Sequence, residues 1–346
     1  DAQINEATPV PKDKNPYQPR INAIRKVIYA EEKRVMEKYP ILAHQNFLGG
    51  CIFLGSVAAF ATISYLYITG ALSLIFVVPM LAFVVSILHE MEHDLIHDLY
   101  FKERRWIQHL MFGTIWVSKV NANPWWRKAM HLKHHKSSGQ LDDIEERLIG
   151  LGLPIGFKRI ALALSALGVY LVIYGIAADS KRMNSLPGMN VNLVSLLNLP
   201  VLLPAHLALA VLFVPNLVSE SIYNLAWYVC ALLFFPNLLR QGSLVLISTG
   251  CHYFGDIPEK NVYYQNQVLN HWILYPLQAF CFNFGETHII HHYVSRQTFY
   301  LRQMIAPACL VELKNQGVRF NDLEIYKRAN RYYSSKDHHQ QVAVGA

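Results

Sequence analysis

Charge is scarce in this chain. Asp, Glu, Lys and Arg make up only 16% of its 346 residues, against roughly 25% in an ordinary soluble domain. Hydrophobic residues make up 53%. That balance argues against a soluble domain and for an all-α integral membrane protein. Cysteine is sparse as well. Cys51, Cys230, Cys251, Cys281 and Cys309 are scattered, with no CxxC spacing. They suggest neither a disulfide framework nor a zinc or rubredoxin-like thiolate site. The sequence also lacks GxGxxG and any haem-binding cytochrome b5 motif, so no electron carrier is fused to it. Lys and Arg are missing between Lys38 and Lys102 but frequent in 12–38, 102–159 and 296–336. The net charge of +7 is therefore placed as the positive-inside rule places cytoplasmic segments. It forms no basic stripe that could read a nucleic-acid groove, so no nucleic-acid partner is expected. The polar first 45 residues, with Pro9, Pro11, Pro16 and Pro19, do not read as a signal peptide.

What is present in quantity is long apolar runs. Asn46–Gly70 carries no charge and exceeds the roughly 20 residues that span a hydrocarbon core. Ala71–Leu88 and Ile160–Ala178 are further uncharged runs. From Val191 to Phe254 only Glu220, Arg240, His206 and His252 interrupt another. The first two runs predict a hairpin turning near Gly70, its second helix continuing past Leu88. Residues 102–120 read as an interfacial helix, broken at Asn121–Pro124, with another helix starting at Trp125. A crossing at 158–178 and a long kinked helix from about 221 to 252 give four transmembrane helices, with 193–214 re-entrant or interfacial. The alternative is six crossings. Three divisions are expected: 1–45, an arm and interfacial helix; 46–310, the membrane domain; and 311–346, a cytosolic segment with a disordered tail.

Histidine is the other abundance. Of the 16 histidines, eight fall in three clusters near the ends of apolar runs: His89 and His93; His131, His134 and His135; His288, His291 and His292. His97 follows one turn after His93. Residues i, i+3 and i+4 share a helical face, so each cluster can present its imidazoles together. Imidazole suits Fe, Zn and Cu. Eight or nine imidazoles are too many for one ion, which points to a dinuclear centre. All clusters must then lie on one side of the membrane. His89-Glu90-Met91-Glu92-His93 also satisfies HExxH, the string of zinc metalloproteases. That distant alternative leaves two HxxHH clusters unexplained.

Across residues 45–310 the three boxes resemble those of the membrane-bound fatty acid desaturase and hydroxylase superfamily. The resemblance implies a helical membrane domain whose cytosolic helical cap holds two non-haem Fe ions. It implies His89, His93, His131, His134, His135, His288, His291 and His292 as ligands. An additional ligand is expected upstream of the last box, and His252 is the candidate. His97, Glu286 and Asp94 are expected as ligands or as partners of ligand imidazoles. Arg127 and Lys128 are candidates for holding a substrate head group. The implied activity is O2-dependent oxidation of a fatty acyl or related lipid chain by hydrogen abstraction, desaturase-type. The alternatives are oxidative decarboxylation of free fatty acids to terminal alkenes, and alkane or lipid hydroxylation. A first box beginning His-Glu resembles alkane hydroxylases and the decarboxylase branch, whereas many acyl-lipid desaturases begin it His-Asp. Electrons would come from a separate ferredoxin, rubredoxin or cytochrome with its reductase. The expected location is integral and multi-pass, with the boxes and both termini cytoplasmic.

Overall fold

The computed structural model describes residues 16–140, 143, 145, 146, 157, 191–253 and 261–328. The described residues are helical. They contain no strand, only isolated bridges joining His252 to Asn266 and Val268 to Phe320. Helix α1 (Gln18–Lys38) buries Ile21, Ile24, Ile28 and Val35, a stripe at helical spacing. Helices α2 (Gln45–Ile68) and α3 (Leu74–Ile96) form the expected hairpin. Gly70 makes its turn in the left-handed region at φ 78°, which costs glycine nothing. Helix α4 (Arg105–Lys119) follows. Asn123 caps α5 (Pro124–Ser137) by accepting hydrogen bonds from the Trp125 and Trp126 amides, with Pro124 in the first turn, where its missing N–H is no loss.

Helix α6 (Val191–Val211) runs unbroken through Pro200 and Pro204 and packs along the first part of α7. Residues 193–214, expected to be re-entrant or interfacial, form this apolar helix and the turn that follows it. Helix α7 (Glu220–Cys251) is the expected long element. Its winding widens into a π turn at Cys230–Phe234, just before Pro236. A proline ring inside a helix crowds the carbonyl four residues earlier, and a wider turn relieves that clash. Helices α8 (Phe284–Tyr293) and α9 (Phe299–Asn315) complete the set.

Three of these helices are long and apolar enough to cross a membrane: α2, α3 and α7. Leu54, Ile75 and Leu225 are 66%, 76% and 65% exposed, giving outer faces suited to lipid. The expected crossing at 158–178 lies outside the described residues. Among the three, α3 is the most enclosed, packed against α2, α4, α5 and α7. It is the post on which the other elements lean. Helix α1 covers α8 and α9, and Arg25 Nε donates to the Tyr293 carbonyl at 3.1 Å, satisfying the C-terminal end of α8.

One close approach fixes the lower end of this assembly. Gly49 of α2 lies directly against the Tyr100 ring, where any Cβ would collide with ring carbons. Tyr100 in turn donates to Asp94 at 2.8 Å. Gly49→Ala should push the ring off Asp94 and destabilise the protein by about 1–3 kcal/mol, the usual cost of overpacking. The check is the apparent Tm of the detergent-solubilised protein: a variant melting with wild type would show that the contact does not constrain the ring.

Candidate metal centre

Each histidine cluster ends up where a helix ends. Helix α3 stops at Ile96, and His97 forms its C-cap. Asp98 then turns the chain with φ 56°, held by Arg105 and by Lys128 Nζ at 2.7 Å. Helix α7 stops at Cys251, leaving His252 extended at φ −107°, ψ 132°. Helices α5 and α8 carry the other two boxes into the same space.

The imidazoles divide into two groups. His93, His97, His131, His135 and His291 offer ligand atoms that all lie within 4.8 Å of one another, and His134, His252, His288 and His292 form a second such group. Helical geometry explains the division. Residues i and i+4 differ by about 40° around the axis, while i+3 falls about 60° to the other side. On α5, His131 and His135 therefore face one group and His134 the other. On α8, His288 and His292 share the second group and His291 reaches the first.

Within the groups, Nε2 atoms converge. His131 and His135 are 3.1 Å apart, His135 and His291 2.8 Å. His252 and His288 are 2.9 Å apart, His288 and His292 2.9 Å, and His134 and His292 3.4 Å. Around an ion with nitrogen ligands at about 2.0–2.1 Å, neighbouring donors stand about 3 Å apart. Both nitrogens of His93 and Nε2 of His97 are buried with no hydrogen-bond partner among the described residues. Buried orphan donors and acceptors are costly, and a metal ion would take up one nitrogen of each ring. The donor set fits two imidazole-bound metal ions.

Three of the rings have acceptors at their outward nitrogens. Glu145 meets His131 Nδ1 at 2.7 Å and Asp143 meets His134 Nδ1 at 2.8 Å. His252 Nδ1 faces the Ser248 carbonyl at 2.8 Å and Glu146 at 3.3 Å. Carboxylate–imidazole pairs of this kind fix the tautomer and orientation of metal ligands. His291 differs: Arg302 Nη1 lies 3.0 Å from its Nδ1, and a guanidinium only donates. Arg302 is itself held by Glu90 at 3.1 Å and Asp94 at 3.4 Å.

Burial keeps most of these rings neutral. It lowers His97 to about 4, with Arg302 adding to the effect, and lowers His252 to about 3, helped by His134. His131, His135, His288, His291 and His292 are likewise pushed well below the usual imidazole range, first by burial and then by neighbouring histidines. A neutral ring has the lone pair that a metal needs. At His134 burial acts downward too, but Asp143, Glu145 and Glu146 outweigh it and raise the ring to about 10.

The structure thus brings together eight of the nine histidines that the sequence singled out as ligands, with His97 as the ninth member. His89 stands outside both groups. Its Nδ1 has no hydrogen-bond partner among the described residues, and its Nε2 lies 3.4 Å from Arg127. Two overlapping HxxxH strings, 89–93 and 93–97, share His93, and the one in the cage opens His93-Asp94. The zincin string requires His89 beside His93 on one ion, which the grouping does not give. Glu286, half-buried in the first turn of α8, is not the carboxylate that meets the rings; Asp143, Glu145 and Glu146 are. Their signal in the sequence was the acidic run that follows the second box. Asp94 lies 3.9 Å from His93 Nδ1 and is engaged by Tyr100, Phe299 and Arg302. Arg127 and Lys128 are occupied by protein carboxylates: Arg127 Nη1 is 3.0 Å from Glu92, and Lys128 pairs with Asp98.

Residues 69–324 match the family model for fatty acid desaturase, well over half of the chain. The protein therefore belongs to the fatty acid desaturase family, whose members are membrane oxidoreductases acting on lipid chains. A comparison with curated proteins finds no match.

His97→Ala and His89→Ala separate the two overlapping strings. The first should lower the metal content to about half that of the unsubstituted protein, because it removes a donor from one of the two groups that fit an ion. The second should leave metal content unchanged. Metal analysis of the purified variants decides it, and the reverse pattern would return the box to 89–93.

Proposed function

We propose that this chain is an O2-dependent di-iron oxidase that removes hydrogen from C–H bonds of a fatty acyl or related lipid chain, acting as a desaturase. The observation that carries this reading is the convergence of nine histidines into groups of five and four at the ends of two apolar helices. His93, His97, His131, His135 and His291 would hold one iron, and His134, His252, His288 and His292 the other. Bound there, the two irons supply the reduction of O2 to an oxidant able to attack an unactivated C–H bond, with two electrons from outside.

The remaining work belongs to the protein. Glu145 and Asp143 keep a proton on the outward nitrogens of His131 and His134 and so direct Nε2 inward. Burial of the cage excludes water, which strengthens its electrostatics and limits side reactions. Helices α3 and α7 end at the cage, so a lipid chain lying among the apolar helices can bring one methylene against it. Which methylene reacts is set by that positioning. The first box in this register opens His93-Asp94, the His-Asp start seen in many acyl-lipid desaturases, and this favours desaturation over the His-Glu branches.

The same reading places the boxes and both termini in the cytoplasm, beside the basic segments. A separate ferredoxin, rubredoxin or cytochrome with its reductase would deliver the electrons. Basic residues on that face favour an acidic carrier.

Two measurements test the proposal. Purified protein should contain about two iron atoms per chain, as two imidazole-bound sites require. With a fatty acyl substrate, O2 and a reducing system, mass spectrometry should find an internal double bond. A hydroxylated product, or CO2 with a chain one carbon shorter, would replace desaturation by hydroxylation or decarboxylation. Absence of iron would overturn the reading as a whole.

A further inference from the structure

Arg240 lies within α7, one of the apolar helices, and is 1% exposed. A charge buried in such a segment is costly and marks function. Its Nη2 donates to Gln241 at 2.8 Å and its Nε contacts Asn237 at 3.4 Å. Its Nη1 is buried with no hydrogen-bond partner among the described residues, and no carboxylate among them forms an ion pair with it.

The surroundings add positive charge. Asn121 donates to the same Gln241 oxygen at 2.8 Å, and Asn237 donates to the Ser118 carbonyl at 2.8 Å. These bonds lock Arg240 beside the α4–α5 turn that carries buried Lys119. Lys119 and Arg127 both pair with Glu92. Arg127 Nε is also 3.9 Å from Glu145, a carboxylate already engaged by His131. Burial first, and then Arg127 and Arg240, hold the Lys119 amine well below its usual range. Three buried basic groups therefore meet two carboxylates, and Arg240 pairs with neither. His89, whose Nδ1 lies 4.0 Å from Glu92, borders the same cluster through Arg127.

We propose that this cluster, centred on Arg240 and bordered by Lys119, Arg127 and His89, binds the carboxylate of a free fatty acid. The assignment rests on the lipid-oxidase reading and deepens it by naming the substrate's head group. A carboxylate supplies the missing counter-ion and accepts from Nη1, giving the charge-assisted geometry that arginine favours. A bulky phosphoester head group stays at the membrane surface; a compact terminal carboxylate can be buried with its chain. His89 lies one turn before His93 on α3, about 6 Å along the axis. An acid held here presents carbons near its carboxyl end to the cage.

The test is equilibrium binding of radiolabelled myristate to full-length protein in non-ionic detergent, with methyl myristate and tetradecyl phosphate as comparisons. Arg240→Gln should weaken myristate binding by about tenfold or more, the scale of a lost charged hydrogen bond, and leave methyl myristate unchanged. Gln241→Glu places a carboxylate beside Arg240 with little change in shape and should weaken myristate in the same selective way. Equal loss for acid and ester, or no loss for either variant, overturns the site. Tetradecyl phosphate binding as tightly as myristate overturns the choice of carboxylate. Iron content is measured on the same preparations. Selective, Arg240-dependent binding on a chain without iron would support the site while sinking the oxidase reading.

Discussion

Nine imidazoles occupy one buried space, and that crowding governs the rest of the molecule. A neutral imidazole has one N–H and one lone pair. If the lone pairs point to a common centre, the N–H groups point outward and need acceptors there. Buried polar groups without partners are expensive. The cage is therefore possible only where acceptors surround it and where the helices carrying the rings all end together. Asp143, Glu145, Glu146 and the Ser248 carbonyl meet the first need for His131, His134 and His252. The convergence of α3, α5, α7 and α8 meets the second.

The outward partners are not the same for the two groups. His134 and His252, in the group of four, face Asp143, Glu146 and a backbone carbonyl. In the group of five, His131 faces Glu145, but His291 faces Arg302. A carboxylate at the far nitrogen makes an imidazole a stronger donor, whereas an Nδ1 that accepts from a guanidinium leaves the proton on Nε2, so His291 can offer its Nε2 lone pair only if Arg302 turns away. The two groups therefore differ in their outward partners even though both are made of histidine. Arg302 is costly in such a place, and Glu90 and Asp94 on α3 compensate it. The acidic residues inside the first histidine cluster thus serve the third cluster from across the core.

Much of this was legible in the sequence, and the rest was hidden for definable reasons. The hairpin about Gly70, the continuation of α3 into the first cluster, the break at Pro124 and the long helix ending at His252 all follow from apolar runs and helix breakers. The division of labour within HxxHH follows from helical angles. The register of the first box does not: His89, His93 and His97 repeat at i+4, and periodicity treats 89–93 and 93–97 alike. Depth separates them, because α3 ends at Ile96 and only its last turn reaches the cage. For the carboxylate partners, nearness in sequence nominates Glu90, Glu92, Asp94, Asp98, Asp142, Asp143 and Glu286. Of these Asp143 meets a ring, and Glu145 and Glu146, further along the same acidic run, meet two more.

The displaced histidine then acquires a meaning of its own. One face of α3 carries His97 and His93 in the cage and His89 a turn deeper, against Arg127. A rigid helix keeps those levels a constant distance apart. If an anionic head group sits at the deeper level, α3 acts as a spacer between that anchor and the metal-binding level. Arg240 approaches from α7, whose far end supplies His252, so both long helices would contribute to the anchor and to the cage. The position of attack along a lipid chain would then depend on where the buried cations stand relative to the last turn of α3, rather than on the histidine boxes themselves.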